Sequence, residues 1–147
     1  MADDPDCLFC RIVAGEAKAA IVLDEPGAVA FLDIRPLFHG HTLVVPREHH
    51  VTLPDLPADQ VEGYFSTARQ LAAAVQEAMG ATGTFVAMNN IVSQSVPHLH
   101  THIVPRNRKD GLRGFFWPRT KYEGEEMAQT AEKIRAVLGT SGSSAGD

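Results

Sequence analysis

The chain has 147 residues, of which 44% are hydrophobic and 21% are charged, and this composition is typical of a single globular domain. Its formal net charge of -5 offers no general attraction to nucleic acid or to an acidic membrane surface, and no apolar run approaches the roughly 20 residues that a transmembrane helix needs. The acidic N-terminus, MADDPD, lacks the positive charge and apolar stretch of a signal peptide. We therefore expect a cytoplasmic protein with neither nucleic-acid nor membrane partners.

In chain order, the first predicted elements are a short helix and three strands. Apolar residues in the segment 8–14 follow helical spacing, and Gly15 provides a glycine stop. Strand-like apolar runs follow at residues 20–23, 29–32 and 42–45. The first two flank a Pro26-Gly27 pair that favours a turn, so they are predicted to form a hairpin, and Pro46 ends the third.

The second half of the chain begins with its clearest helix. From 59 to 79, apolar side chains recur at steps of three and four residues, and Gly80 follows as a stop. Two further strand candidates, at 84–88 and 99–104, are joined by the polar loop 89–97. Helical spacing of apolar residues also predicts a short C-terminal helix: Met127, Ala131, Ile134 and Leu138.

This order of elements predicts an α+β architecture. We expect one domain over residues 1–138, with a mainly antiparallel sheet of about five strands, one long helix and short N- and C-terminal helices. The Gly/Ser-rich residues 139–147 are predicted to form a flexible tail.

Three histidines, His98, His100 and His102, alternate with other residues in the last strand candidate. Alternate residues of a strand share a face, and the rise per residue would place the outer two histidines about 13 Å apart. One metal ion cannot easily gather all three, although two neighbours can share a zinc ion, and a zinc hydrolase is one alternative. A neutral imidazole can also attack phosphorus without a separate strong base, which favours covalent nucleotidyl transfer.

Residues 98–104, HLHTHIV, resemble the H-φ-H-φ-H-φ-φ signature of the histidine triad (HIT) superfamily, in which φ is apolar, with Thr101 as the departure. Residues 31–36, FLDIRP, and 40–46, GHTLVVP, are similar to the nucleotide-pocket strand and the following strand of bacterial HIT proteins. The resemblance implies a HIT-like fold. It also implies an enzyme that attacks the α-phosphate of a nucleoside monophosphate conjugate, such as an adenylyl phosphoramidate or a dinucleoside polyphosphate, through a nucleotidyl-histidine.

The resemblance also implies roles for individual residues. His100 would be the nucleophile, His102 a phosphate contact, His98 the third catalytic histidine and Ser95 a hydrogen-bonding partner of the phosphate or the departing group. A purine nucleotide, by family habit adenosine-based, would be bound by Asp33 at the ribose, by His41, Asn89 and Gln94 near the phosphate, and by apolar walls around the base: Leu8, Phe9, Ile12, Phe31 and Ile34. The loop 89–94 departs from many HIT proteins because it is shorter and lacks a glycine.

Two other functions compatible with this pattern are a phosphorylase-type nucleotidyltransferase, with phosphate rather than water as acceptor, and a nucleotide-binding regulatory or scaffold protein with incidental turnover. The presence of His100, His102, Ser95 and Asp33 together argues against the scaffold.

The two cysteines, Cys7 and Cys10, have C-x-x-C spacing. A disulfide framework is not expected in a cytoplasmic chain, so metal binding or redox chemistry remains, the latter without the β-α-β setting of a thioredoxin-like pair. The resemblance implies a zinc site formed by Cys7, Cys10, His49 and His98, with His50 as the alternative to His49. Four protein ligands leave no position for a metal-bound water, so the zinc would be structural.

Basic residues are concentrated between 106 and 121, where six lysines and arginines stand against Asp110 alone. This segment can bind phosphate oxygens or form a solvated loop. It contains Trp117, which the resemblance implies can reach the partner's active site in a dimer, and which can equally pack against the C-terminal helix. Since pairing of two sheets would bury an exposed edge strand, we expect a homodimer.

Overall fold

The computed structural model describes residues 4–112 and 119–146, with backbone only for the last seven. The chain divides into two units, Met1–Asp110 and Gly111–Asp147. The first unit contains two helices, five strands and a short 3-10 helix at Leu53–Asp55: α1 (Leu8–Val13), β1 (Ile21–Glu25), β2 (Ala28–Leu32), β3 (Thr42–Val45), α2 (Ala58–Ala78), β4 (Gly83–Ala87) and β5 (Thr101–Arg106).

The five strands form one antiparallel sheet in the order β1-β2-β3-β5-β4. This confirms the predicted hairpin and the predicted antiparallel α+β fold. The last strand in sequence, β5, lies between β3 and β4, and His102 pairs with Leu43 on one side and Ala87 on the other. The position of β5 therefore places His102 in the interior of the sheet rather than at an edge.

The prediction that all three histidines lie on one strand is wrong for His98 and His100, because β5 begins only at Thr101. The cause is a change of hydrogen-bond partner just before the strand. The backbone N–H of Leu99 donates to His50 O at 2.7 Å, outside the sheet. This bond ties the histidine row to the segment that follows β3.

The two faces of the sheet carry two separate clusters of buried side chains. On one face, Ala28, Ala30, Val44 and Ile103 pack with Tyr64, Leu71 and Val75 of α2. The alternate strand residues on the other face pack with α1: Val29, Phe31, Leu43 and Val45 with Cys7, Phe9, Cys10 and Ile12. Because cross-strand partners share a face, His102 lies on the side covered by α1, beside Leu43.

Thr101, the polar residue at an apolar position of the histidine signature, has a buried partner on α2. The Tyr64 hydroxyl donates to Val44 O at 2.8 Å and lies 2.6 Å from Thr101 Oγ1. Because the Tyr64 hydroxyl donates its hydrogen bond to Val44 O, it accepts a hydrogen bond from the Thr101 hydroxyl. The threonine is satisfied by this bond, which links the long helix to the two central strands.

The second unit contains α3 (Glu126–Gly146), which at 21 residues is as long as α2 and longer than the short helix expected. It continues past Leu138 because extending an existing helix costs far less than starting one, and no proline interrupts residues 139–146. The domain boundary at 138 and the flexibility of 139–147 stay predictions. Trp117 lies outside the described residues. No helix in the described ranges is long and apolar enough to span a membrane.

Candidate active site and metal-binding cluster

The two cysteines face one point because they lie three residues apart around the start of α1. Cys7 is the N-cap, and its Sγ accepts the backbone N–H of Cys10 at 3.4 Å. Two histidine nitrogens approach the thiols. His98 Nδ1 is 3.4 Å from Cys7 Sγ and 3.5 Å from Cys10 Sγ, and His49 Nδ1 is 3.3 Å from Cys10 Sγ. All four donor atoms lie within 4.8 Å of one another.

The donor set fits a tetrahedral zinc ion. At a tetrahedral angle, zinc–sulfur and zinc–nitrogen bonds of about 2.3 and 2.0 Å would place neighbouring S and N ligands about 3.5 Å apart, close to the separations found here. His98 also has the required proton arrangement. Its Nε2 donates to Pro46 O at 3.0 Å, which leaves Nδ1 with a lone pair facing the thiols. Burial lowers the pKa of His98 to about 4, so the ring is neutral at pH 7.

His49, rather than His50, reaches this cluster. His50 is buried, and its Nε2 lies 3.3 Å from Glu48 Oε1, which is within ion-pair distance. Among the described residues, no group is placed to form a hydrogen bond with this nitrogen. The His50 carbonyl instead accepts from Leu99, as described above. The two adjacent histidines therefore contact the segment 98–99 in different ways. His49 uses its ring, which lies 5.1 Å from the His98 ring between centroids, and His50 uses its backbone carbonyl.

His100 lies between the cysteine cluster and β5. Its Nδ1 donates to His98 O at 2.7 Å, so in the neutral ring Nε2 carries the lone pair. The ring is buried and packs edge-on against Phe9 at 5.1 Å and against His102 at 5.1 Å between centroids. Phe9 itself contacts Phe31 at 5.3 Å. Helix α1 thus supports the proposed nucleophile with Phe9 while carrying both cysteines.

A second group of side chains surrounds His102. His41 Nε2 is 2.9 Å from His102 Nδ1 and 3.6 Å from Asp33 Oδ2, and Asp33 Oδ1 accepts the backbone N–H of Arg35 at 2.9 Å. Burial lowers the pKa of His41, against the opposing effect of Asp33. Burial also lowers the pKa of His102 to about 4, with further lowering by His100 and His41. Both rings are therefore neutral at pH 7.

The alternative of a zinc hydrolase needs His100 to share a metal with a neighbour and at least one further ligand. Among the described residues, the groups with metal-binding distances are the cysteine cluster and Asp33-His41-His102, and His100 belongs to neither. His98 Nδ1 faces the thiols, whereas His100 Nδ1 donates to a backbone carbonyl. These two ring nitrogens therefore do not face a common metal position.

The loop 89–97 carries three of the expected site residues. Ser95 and Asn89 are exposed, and Asn89 Nδ2 donates to Ser93 O at 3.3 Å. Both ends of the Gln94 amide are engaged, since Oε1 accepts from Ile91 N–H at 3.0 Å and Nε2 donates to Val51 O at 2.6 Å. In this structure Gln94 holds the loop in place, beside Ser95.

The absence of glycine from this loop has a conformational cost. Ile91 has φ 70° and Ser93 has φ 62°, in the left-handed region that β-branched residues rarely adopt. We expect Ile91→Gly to raise the free energy of unfolding by about 0.5–1 kcal/mol, since relief of about 1–2 kcal/mol exceeds the entropic cost of glycine. The Ile91 side chain is 68% exposed, so little burial is lost. Urea unfolding followed by circular dichroism measures the change.

Val92→Gly is the matched control, because Val92 is 78% exposed and is not among the residues with positive φ. It should lower stability by about 0.5–1 kcal/mol. Equal destabilisation by both glycines would mean that Ile91 carries no backbone strain.

The five expected base-contacting residues divide by exposure. Phe9, Ile12 and Phe31 are buried in the α1-side cluster, whereas Leu8 is 44% and Ile34 87% exposed. Of the five, Leu8 and Ile34 are therefore the ones with solvent-exposed apolar surface.

Sequence reasoning missed the backbone groups that orient the histidines. Pro46 O fixes the His98 ring, His98 O fixes His100, and Leu37 N–H donates to His41 Nδ1 at 3.0 Å. Every residue type except proline has the same backbone donor and acceptor, so no sequence pattern marks these groups.

A family model described as HIT domain matches residues 14–109 of this chain. The chain is 31% identical to a Saccharomyces cerevisiae protein named adenosine 5'-monophosphoramidase, over 92% of this chain and 84% of that protein. A protein from Streptococcus mutans of solved structure superposes with a TM-score of 0.86 at 33% identity, covering 93% of this chain and 88% of that one. A Zn-bound histidine triad family protein from Mycobacterium smegmatis superposes with a TM-score of 0.68 at 34% identity, covering 95% and 97%.

Proposed function

This chain belongs to the HIT domain family, and we propose that it cleaves the bond between the α-phosphate of an adenosine-based nucleotide conjugate and its leaving group, through a nucleotidyl-His100 intermediate. The observation that carries the proposal is the 2.7 Å hydrogen bond from His100 Nδ1 to His98 O, which leaves the lone pair on Nε2. A ring held in this tautomer is a nucleophile that needs no base to remove a proton first.

In the first step the Nε2 lone pair forms a bond to the α-phosphorus, and the bond from phosphorus to the leaving-group nitrogen or oxygen breaks. The positive charge that develops on His100 is shared through Nδ1–H with His98 O. The leaving group departs with a proton. We assign the donation of this proton to the hydroxyl of Ser95, which is exposed on the loop that precedes the histidines. Water then attacks phosphorus and returns a proton to Ser95, the P–Nε2 bond breaks, and the nucleoside monophosphate is released.

The remaining site residues bind the nucleotide. His102, whose ring centroid is 5.1 Å from that of His100, would contact a non-bridging phosphate oxygen. Asp33 Oδ2 would accept a ribose hydroxyl, with Asn89 on the phosphate side, while Leu8 and Ile34 would pack on the base. The S. cerevisiae relative named adenosine 5'-monophosphoramidase supports an adenosine-based substrate. Apolar contacts of this kind discriminate weakly among bases, so other purine nucleotides should also bind.

We propose a structural zinc ion held by Cys7, Cys10, His49 and His98. The Zn-bound relative from M. smegmatis and the spacing of the four donor atoms support this assignment. When bound, the ion would supply a rigid crosslink and no reacting water, because four protein ligands complete its coordination. Its effect on the reaction would pass through His98, whose ring it would fix and whose carbonyl orients His100.

We also propose a homodimer. Both β1 and β4 are edge strands, and β4 exposes Val86 at the edge next to the strand that carries His102. Pairing with a second copy would satisfy that edge. The domain itself is proposed to end near residue 138.

The proposed activity is tested by incubating the purified protein with an adenylyl phosphoramidate, an adenylyl lysine amide and a dinucleoside polyphosphate, and separating the products by chromatography. We expect AMP from at least one of these conjugates. A parallel reaction with inorganic phosphate distinguishes a phosphorylase, which would release ADP instead. Calorimetric binding of AMP without turnover of any conjugate would contradict the proposal and favour a nucleotide-binding scaffold.

A further inference from the structure

His41 lies outside the row of three histidines, yet its ring connects the backbone of the 33–41 segment to His102. On one side, His41 Nδ1 is 3.0 Å from the backbone nitrogen of Leu37. On the other, His41 Nε2 is 2.9 Å from His102 Nδ1. The three groups form a continuous chain of hydrogen bonds that runs from a main-chain amide to the proposed phosphate contact.

The direction of these bonds follows from the first of them. A backbone N–H can only donate, so His41 Nδ1 must accept and has no proton. A neutral His41 then carries its proton on Nε2 and donates it to His102 Nδ1. Since His102 Nδ1 accepts, the single proton of the neutral His102 ring is on Nε2.

We propose that His41 is a positioning residue that holds His102 in the Nε2–H tautomer, so that His102 offers a hydrogen-bond donor to the phosphate during nucleotidyl transfer. This role rests on the proposed function, because it requires His102 to contact the phosphate. His41 orients His102 and does not itself contact the phosphate. The Nε2–H bond of His102 would strengthen as negative charge develops on the phosphate oxygens, which favours the transition state over the bound substrate.

The turn before His41 is built to hold the Leu37 amide in place. Gly40 has φ +100°, and a Cβ at this position would lie 2.6 Å from Met79 Cγ, so the side chain of Met79 packs directly on the glycine. The backbone N–H of His41 donates to Phe38 O at 3.0 Å. These contacts restrain the backbone after Leu37, and the bond from Arg35 N–H to Asp33 Oδ1 at 2.9 Å restrains it before Leu37, so the start of the hydrogen-bond chain is held on both sides.

Asp33 is the competing acceptor, but its Oδ2 is 3.6 Å from His41 Nε2, beyond the range of a good hydrogen bond, whereas His102 Nδ1 is at 2.9 Å. A metal ion held by Asp33, His41 and His102 would need an unprotonated His41 Nε2. That arrangement would put a proton on Nδ1, facing the Leu37 N–H. The Leu37 bond therefore favours a hydrogen-bond chain over a second metal site.

The test compares three substitutions of His41. A glutamine amide nitrogen can replace Nε2 as a donor to His102, a glutamate carboxylate of the same shape can only accept, and leucine can do neither. His41→Gln should keep the Nε2–H tautomer of His102. His41→Glu should reverse it, placing the proton on Nδ1. Nitrogen-15 correlation spectra of histidine-labelled protein report which ring nitrogen of His102 is protonated.

Kinetics provides the second measurement. His41→Glu and His41→Leu should lower kcat by roughly 10²–10³-fold with a much smaller change in KM, as for loss of one transition-state donor. His41→Gln should recover at least about tenfold of that loss. Zinc content should remain at one equivalent in all of these proteins.

The wild-type spectrum alone can overturn the proposal. A proton on His102 Nδ1 in the wild-type protein would contradict it even if a variant failed to fold, and so would equal kcat for the Gln and Glu variants. A second equivalent of bound zinc that is lost in His41→Gln would show a metal site instead. Because the spectra need no substrate, absence of turnover would refute the proposed function and leave the tautomer result standing.

Discussion

Replacing His100 by asparagine should abolish turnover, with kcat falling by roughly 10⁴-fold or more. The asparagine amide can still donate to His98 O, in place of the ring Nδ1–H, so the hydrogen bond that orients residue 100 is kept. What disappears is Nε2, the atom that would bond to phosphorus. Nucleotide binding, measured by calorimetry with AMP, should change by less than about tenfold, because the substitution removes chemistry rather than the pocket.

His39→Asn is the matched control for this substitution. His39 is an exposed histidine two residues before His41, and its loss should leave kcat within about twofold of wild type. Substantial turnover by His100→Asn, in protein purified away from any contaminating hydrolase, would rule out His100 as the nucleophile.

Removing the proposed zinc ligands should have the second large effect, on stability before activity. Cys7→Ser and His49→Asn are each expected to lose bound zinc and to lower the free energy of unfolding by at least about 3 kcal/mol, or about 10 °C in Tm. The reason is structural: the cluster joins α1 to the segments after β3 and before β5. Metal analysis and calorimetric unfolding measure the two quantities on the same samples.

His50→Asn separates the metal site from its neighbour. His50 is buried beside His49 but lies outside the cluster, so this variant should keep a full equivalent of zinc even if it unfolds at a lower temperature. A catalytic metal would behave differently. Chelation would then abolish turnover while Tm remained unchanged, and that outcome would contradict a structural zinc.

Much of the fold was predictable because the relevant patterns are local. Apolar spacing over residues 59–79 predicted α2 to within one residue at each end, and the run 42–45 predicted β3 at its observed bounds. The start of β5 was not predictable, since it depends on Leu99 donating to His50 O instead of to β3. That choice of partner is a long-range interaction, and residues 98–100 read as strand until it is known.

The candidate site divides in the same way. The alternating histidines and the C-x-x-C spacing predicted which side chains react, and that part stays a prediction, whereas the structure brings Cys7, Cys10, His49 and His98 together as expected. The choice of His49 over His50 needed three dimensions, because adjacent residues of an irregular segment have no fixed facing. Likewise, Thr101 departed from the family pattern for a reason that only its contact with Tyr64 explains.

The tautomers of the histidines were furthest from prediction, although they matter most for the chemistry. Pro46 O, His98 O and Leu37 N–H decide which nitrogen of each ring carries a proton. Together they direct one lone pair to the cysteine cluster, one toward the proposed phosphorus position, and one donor toward the proposed phosphate position. Three similar side chains thereby acquire three different proposed roles from their backbone partners.

The most direct test of this account is the mass of the protein during turnover. The wild-type chain, mixed with an adenylyl phosphoramidate and quenched rapidly at high pH, should carry one adenylyl group, and peptide mapping should place it on His100. His100→Asn should carry none, whereas His41→Glu should still be modified, only more slowly. Turnover of the conjugate with no adenylylated protein at any quench time, or an adenylyl group on His102, would contradict the proposed mechanism.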